Sequence, residues 1–139
     1  MAIDRATRWV LLHIYSDMTD ESSVDFLRRL NLASPVKITR ILTDNGSQCT
    51  DRFALKDKKP GGNHAFDKAC TGMAIEHRLA PPRHPQTNGM VERFNGRIND
   101  LLQQTRFDSS AELETTLLSY LKLYNHHIPQ RAIGNKTPI

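Results

Sequence analysis

The spacing of apolar residues changes period several times along the 139-residue chain. From Arg8 to Tyr15 (Arg-Trp-Val-Leu-Leu-His-Ile-Tyr) apolar and β-forming residues run almost unbroken over a length too short for a helix, which predicts a strand buried on both faces. Ala2-Ile3, ahead of the polar Asp4-Arg5-Ala6-Thr7, predicts the end of its hairpin partner. Val24, Phe26, Leu27, Leu30 and Leu32 then take helical spacing, with Ser22 or Ser23 as cap, until Ser34-Pro35 stops the helix. Ile38 to Leu42 predicts a second buried strand, Asp44-Asn45-Gly46 a turn, and the Lys-, Pro- and Gly-rich segment Lys56 to Asn63 a surface loop, the least ordered part of the chain. Asn63 is placed to cap a helix reaching about Met73, with Ala65, Phe66, Ala69 and Met73 on its apolar side, and Ile75 to Leu79 alternates as a short strand should. Pro81, Pro82 and Pro85 hold the following connection extended. From about Thr87 the positions Val91, Phe94, Ile98, Leu101 and Leu102 mark a long amphipathic helix; a last one spans about Ala111 to Tyr124 through Leu113, Leu117, Leu118 and Leu121. Strands and helices alternate, so the class is α/β, with residues 1–139 forming one domain without a repeat or internal linker.

Charge adds a partner to this picture. Nineteen Lys and Arg against fifteen Asp and Glu give a formal charge of +4, a balance that favours nucleic acid or another polyanion without demonstrating one. No run approaches the ~18 apolar residues of a membrane span, and the start lacks the basic-then-apolar order of a signal peptide. A cytoplasmic protein with no membrane partner is expected. Cys49 and Cys70 are too few for a disulfide framework; they read as reduced structural thiols, with a cluster of Cys49, His64 and Cys70 around a metal as the alternative.

The candidate chemistry rests on two acids. Asp44 follows the β-branched run Ile41-Leu42-Thr43, and Glu92 falls in the first turns of the long helix. Taken singly, Asp44 is ordinary turn chemistry and Glu92 a solvated carboxylate near the positive end of a helix dipole. Together they gain meaning, because open α/β sheets build their sites beyond the C-terminal ends of strands, and two carboxylates can hold divalent ions that neutralise charge in phosphoryl transfer. Asn88, Glu92, Asn95 and Asn99 recur at i, i+4, i+7 and i+11 as a polar stripe, while Arg93 and Arg97 stand one turn apart on a third side, spaced for successive backbone phosphates. Gly89, a poor helix former, suits a close approach of backbone to phosphate or to another chain. His84 either orients substrate or is a plain loop histidine. His126-His127 reads as a solvated or DNA-facing tail rather than a metal pair, since adjacent helical residues do not face one another.

The strings Ile41-Leu42-Thr43-Asp44-Asn45-Gly46, Pro85-Gln86-Thr87-Asn88-Gly89-Met90-Val91-Glu92-Arg93-Phe94-Asn95, and Tyr124-Asn125-His126-His127 with Lys136-Thr137-Pro138 resemble the integrase catalytic core of bacterial insertion-sequence transposases, relatives of retroviral integrases. The resemblance covers nearly the whole chain, including Ala2 to Trp9. It implies a ribonuclease H-like mixed sheet flanked by helices and a D/D/E triad holding two Mg²⁺ or Mn²⁺ ions. Asp44 would be the second acid and Glu92 the third, with Asn88 and Asn95 beside the metal site and contacting DNA; Arg93 and Arg97, by their spacing, and His84 join them as candidate DNA contacts. Two departures stand out. The gap from Asp44 to Glu92 is wider than in retroviral integrases, with the extra length expected in the Lys56 to Asn63 loop. The family's first Asp belongs to a strand ahead of the one resembling Ala2-Ile3, so the chain is expected to lack that central strand, and Asp4 falls in a hairpin turn rather than on the metal. The resemblance therefore implies a core fragment, inactive or impaired alone, that forms a homodimer or higher oligomer to cover the exposed strand edges. A DNA-binding remnant without catalysis, or a partner of intact transposase, is the alternative.

Overall fold

The computed structural model describes residues 1–44, 46–51, 63–81 and 89–139. Most of the expected Lys56 to Asn63 loop therefore lies outside the described residues, as do Asn45 and the connection over 82–88 with Pro82, His84, Pro85 and Asn88. The element order is β1 (Ala2–Ile3), β2 (Val10–Leu11), α1 (Asp20–Ala33), β3 (Arg40–Thr43), α2 (Ala65–Gly72), β4 (Glu76–Leu79), α3 (Gly89–Gln104) and α4 (Ser110–His127), followed by a 3₁₀ turn over Arg131–Ile133. The α/β class expected from the alternation holds. Contacts group the chain into two compact units: residues 1–14 with 85–139, and residues 15–84.

In the first unit β1 and β2 pair antiparallel, Ala2 opposite Leu11 and Ile3 opposite Val10. Their turn is tied by Asp4, whose carboxylate accepts from the Thr7 amide (2.9 Å), the Thr7 hydroxyl (2.6 Å) and the Ala6 amide (3.4 Å). Partial burial pushes the Asp4 pKa up, but these hydrogen bonds outweigh it and hold the group below its ordinary value. Asp4 thus does turn work, as its register in the sequence suggested. The strand expected over Arg8 to Tyr15 shrinks to Val10–Leu11: Arg8, at φ 68, is left-handed and delays its start, and pairing reaches only Leu11, opposite Ala2. Val10, fully buried, packs with Phe94, Leu121 and Tyr124 to form the core.

The outer edge of β2 has no described strand beside it. Asn125 of α4 takes that place: its Nδ2 donates to the Val10 carbonyl (2.8 Å) and its Oδ1 accepts from the Val10 amide (3.0 Å). One side-chain amide so supplies what a neighbouring strand would. Helix α4 starts on Ser109, whose hydroxyl accepts from the Glu112 amide, and runs three residues past the expected end, so His126 and His127 occupy its last turn rather than a tail. Both are exposed there. Gly134 and Asn135, at φ 69 and 59, fold the C-terminal segment back so that Gln130 pairs with Lys136.

In the second unit α1 begins one turn earlier than predicted: Thr19, not Ser22 or Ser23, is the cap, its hydroxyl accepting from the Ser22 amide. Leu32, assigned to the apolar side, is 86% exposed; the buried positions are Leu27 and Leu30. Strands β3 and β4 pair parallel, from Arg40 opposite Glu76 to Thr43 opposite Leu79. Neither is buried on both faces, since Leu42 is exposed while Ile41 and Thr43 are half-buried. Helix α2 is capped by His64 rather than Asn63, with Nδ1 accepting from the Phe66 amide at 3.2 Å. Leu27, Phe66, Cys70 and Ile75 make the core here.

Candidate active site

Asp44 is the first residue past the C-terminal end of β3, and its side chain is exposed. Its Oδ1 accepts from the Gly46 amide at 3.1 Å, leaving Oδ2 without a partner among the described residues. The turn that follows is tied back by Cys49 and Thr50 amides donating to the Gly46 carbonyl. His64 secures it from the side: with Nδ1 occupied as the α2 cap, its Nε2–H donates to the Ser47 carbonyl at 2.9 Å. Both nitrogens of His64 are therefore engaged, and no group of three metal-ligating side chains occurs among the described residues, so the alternative cluster with Cys49 and Cys70 is not formed. Burial pushes both thiols up to about 11, the behaviour of structural cysteines.

The residue before Asp44 is held by a chain of side chains that has no local sequence signal. Thr43 Oγ1 lies 2.7 Å from His77 Nε2, and His77 Nδ1 in turn meets Asp67 Oδ1 on α2. His77 Nδ1–H donating to the carboxylate leaves Nε2 to accept the Thr43 hydroxyl proton. The His77 side chain is only 6% exposed and sits edge-on to Phe66, centroids 5.0 Å apart. This chain fixes the end of β3, and with it the point from which Asp44 projects. His77 and Asp67 are ten positions apart on different elements, and the parallel β3–β4 register, with His77 opposite Ile41, puts Thr43 and His77 on one face of the pair as diagonal neighbours.

Glu92 stands in the first turn of α3, exposed and with no hydrogen bond or ion pair among the described residues. Exposure without a partner costs a carboxylate nothing in water, and leaves it available to a cation. Asn95 and Asn99 are exposed on the same side of α3 as Glu92, at about 100° per residue. Arg93 and Arg97 fall on the other flank of the buried Phe94. Arg93 is exposed; Arg97 is half-buried with its guanidinium 5.6 Å from the Tyr124 ring centroid. Burial raises the Tyr124 pKa, against the opposing charges of Arg97 and Arg8. The structure thus splits the predicted DNA-contacting set in two along one helix. His84 and Asn88 lie outside the described residues. Each of the two carboxylates is by itself an oxygen donor of the kind that suits a hard divalent cation such as Mg²⁺ or Mn²⁺ rather than zinc.

Comparison with known proteins places the fold. Residues 73–138 match the family model of the integrase core domain. The ORF3 integrase of Spiroplasma virus SpV1-C74 is 28% identical over 142 aligned positions covering 98% of this chain, which spans 39% of that relative's length. Among solved structures, the catalytic core domain of BIV integrase superposes with a TM-score of 0.68 at 19% identity, over 98% of this chain and 78% of that one. The HTLV-2 integrase catalytic core domain in complex with magnesium, in a trimeric form, gives 0.68 at 24% identity with the same coverage. The simian T-cell lymphotropic virus intasome in complex with PP2A regulatory subunit B56 gamma gives 0.70 at 24% identity, over 98% of this chain and 44% of that one. The fold is thus that of integrase catalytic cores across nearly the whole chain, and the stretch that holds β4, α3 and α4 is similar to the integrase core domain.

Proposed function

We propose that residues 1–139 are the catalytic core of a DNA transposase or integrase, acting by metal-dependent phosphoryl transfer, with Asp44 and Glu92 as metal-holding acids. The observation that carries this reading is the state of those two side chains. Asp44 projects from the C-terminal end of a parallel strand with one oxygen unpartnered among the described residues, and Glu92 stands likewise unpaired in the first turn of α3, within the stretch similar to the integrase core domain. Carboxylates kept exposed and unpaired suit a cation supplied from solution. A bound divalent ion would supply Lewis-acid charge neutralisation at the scissile phosphate. The chain's own contribution is positional: Thr43, His77 and Asp67 steady the strand end beneath Asp44, and Phe94 anchors α3 so that Glu92, Asn95 and Asn99 share a solvent-facing side. His84 and Asn88, with Asn95, Arg93 and Arg97, complete the DNA-contacting set in this reading.

DNA is the proposed substrate and partner, as element end and as target, and the core acts as a dimer or higher oligomer. The multimer of the HTLV-2 core supports this by analogy. No described helix is long and apolar enough to cross a membrane.

The test is a branched duplex mimicking a strand-transfer product, incubated with Mn²⁺ and either the chain or its Glu92→Gln variant. With the family's first acid unaccounted for, weak strand resolution by the chain and none by the variant is expected. Equal product from both sinks the assignment of Glu92.

A further inference from the structure

The first unit holds a groove that no local pattern in the sequence announces. Its volume is about 340 Å³, and Arg8, Arg93, Arg97 and Arg131 all line it beside Tyr124 and Gln130, with no Asp or Glu in its wall. These arginines come from the β1–β2 turn, α3 and the 3₁₀ turn after α4. None has a carboxylate partner among the described residues; the ion pairs of Arg29, Arg40 and Arg78 all lie in the second unit. Arg8 is the most telling. Its Nε is buried with no hydrogen-bond partner among the described residues. Its backbone is held at φ 68, where a side chain other than glycine is strained. Strain, a buried unsatisfied donor and four like charges around one concavity are each unfavourable alone. An anion in the groove relieves the last two together.

We propose that this groove seats a phosphodiester of a nucleic-acid strand, on a surface separate from the face of α3 that carries Glu92. Guanidinium groups converging from three elements match phosphate oxygens by paired, charge-assisted hydrogen bonds. The volume exceeds that of one phosphate and falls within the ~300–1,000 Å³ that hold organic ligands, so neighbouring sugar atoms fit against the apolar wall. On α3, Arg93 and Arg97 stand about 100° or more around the helix from Glu92, so the strand held here is offset from the acid's face; the groove sets register while the acids act elsewhere. This inference rests on the DNA reading above, and adds Arg8 and Arg131 to it.

The experiment is fluorescence anisotropy of a labelled duplex against salt concentration, with the full chain, Arg131→Glu and Lys122→Glu. Arg131 and Lys122 are both exposed, and Lys122 lies outside the groove wall, so the two reversals change net charge equally. The expected result is about a tenfold loss for Arg131→Glu near physiological salt, with the slope of log affinity on log salt falling by about 0.9, one phosphate's worth; Lys122→Glu stays within about twofold. Equal losses from both reversals would overturn the groove in favour of a diffuse basic field. Micromolar binding of free adenosine monophosphate, abolished by Arg131→Glu while duplex affinity is unchanged, would overturn the strand in favour of a nucleotide. Strand resolution by Glu92→Gln is scored separately, so the catalytic assignment can fail while the groove stands.

Discussion

Asn125 offers a sharp test of how the first unit is held. Its amide is 5% exposed and bonds both polar groups of Val10, itself fully buried. In Asn125→Leu the volume is nearly kept while both bonds vanish, leaving a buried amide and a buried carbonyl with nothing to replace water. Each lost bond is worth about 1 kcal/mol net, and each orphaned group about 1 kcal/mol more at the low end. The sum is about 3–4 kcal/mol, a large part of the 5–15 kcal/mol typical of a domain. The lone tryptophan, Trp9, is 6% exposed and adjoins Val10, so its fluorescence in a urea titration reports on this unit. With an m value of about 2 kcal/mol/M, the midpoint falls by about 1.5–2 M. Asn125→Asp keeps an acceptor for the Val10 amide but sets a carboxylate against its carbonyl. Burial raises that carboxyl's folded pKa, so its stabilising proton is fully present below about pH 4, the ordinary value, and the stability is lost as pH rises through the raised value. A midpoint shift under about 0.3 M for Asn125→Leu, or a variant Asp whose stability does not recover on acidification, refutes the clamp.

His77→Ala should destabilise the second unit by about 2–4 kcal/mol in thermal melts, since it opens a cavity against Phe66 and strands the Thr43 hydroxyl and Asp67; Thr43→Val, losing one hydroxyl, should cost about 1 kcal/mol. Glu92→Gln should leave the melting temperature within about 2 °C, being exposed and unpaired among the described residues, so that lost strand resolution in that variant reads as chemistry rather than unfolding. Tyr15, desolvated and donating to Asp25 at 2.7 Å, is pushed up to about 12. Its folded pKa lies above the unfolded value near 10, so its contribution is fully present below about pH 10 and lost as pH rises through 12; phenolate absorbance should show a late tyrosine in the native chain that Tyr15→Phe removes.

What the sequence disclosed, and what it hid, divides along physical lines. Helices α3 and α4 were legible because a long apolar stripe at helical spacing buries no single face of a strand, and Phe94, Leu117, Leu121 and Tyr124 are buried as that spacing requires. The start of α1 was not, because its first turn, Asp20 to Ser23, carries no apolar residue, so periodicity is silent there while several caps compete. The strand expected over Arg8 to Tyr15 came out too long because Arg8 is left-handed and because the paired length is set by the two residues of β1, neither of which shows in the composition of the run. Asp44 and Glu92 stood out through motif and placement. The His77–Asp67 support did not, since it depends on strand register, and the arginine groove gathers residues from opposite ends of the chain, beyond the reach of any local pattern.

The two units differ in how they can be made. Residues 15–84 are one uninterrupted stretch, whereas the other unit joins residues 1–14 to 85–139, and the bonds between Val10 and Asn125 span 115 positions. During synthesis the hairpin of Ala2 to Leu11 emerges ahead of its partners and must wait, its buried residues exposed, until α4 has left the ribosome; the middle stretch meets no such delay. Long loop closure is slow and leaves apolar surface open meanwhile. The order of assembly is therefore inside out, with the middle of the chain first and its two flanks last, and that hairpin is the segment most in need of protection while the rest of the protein is being made.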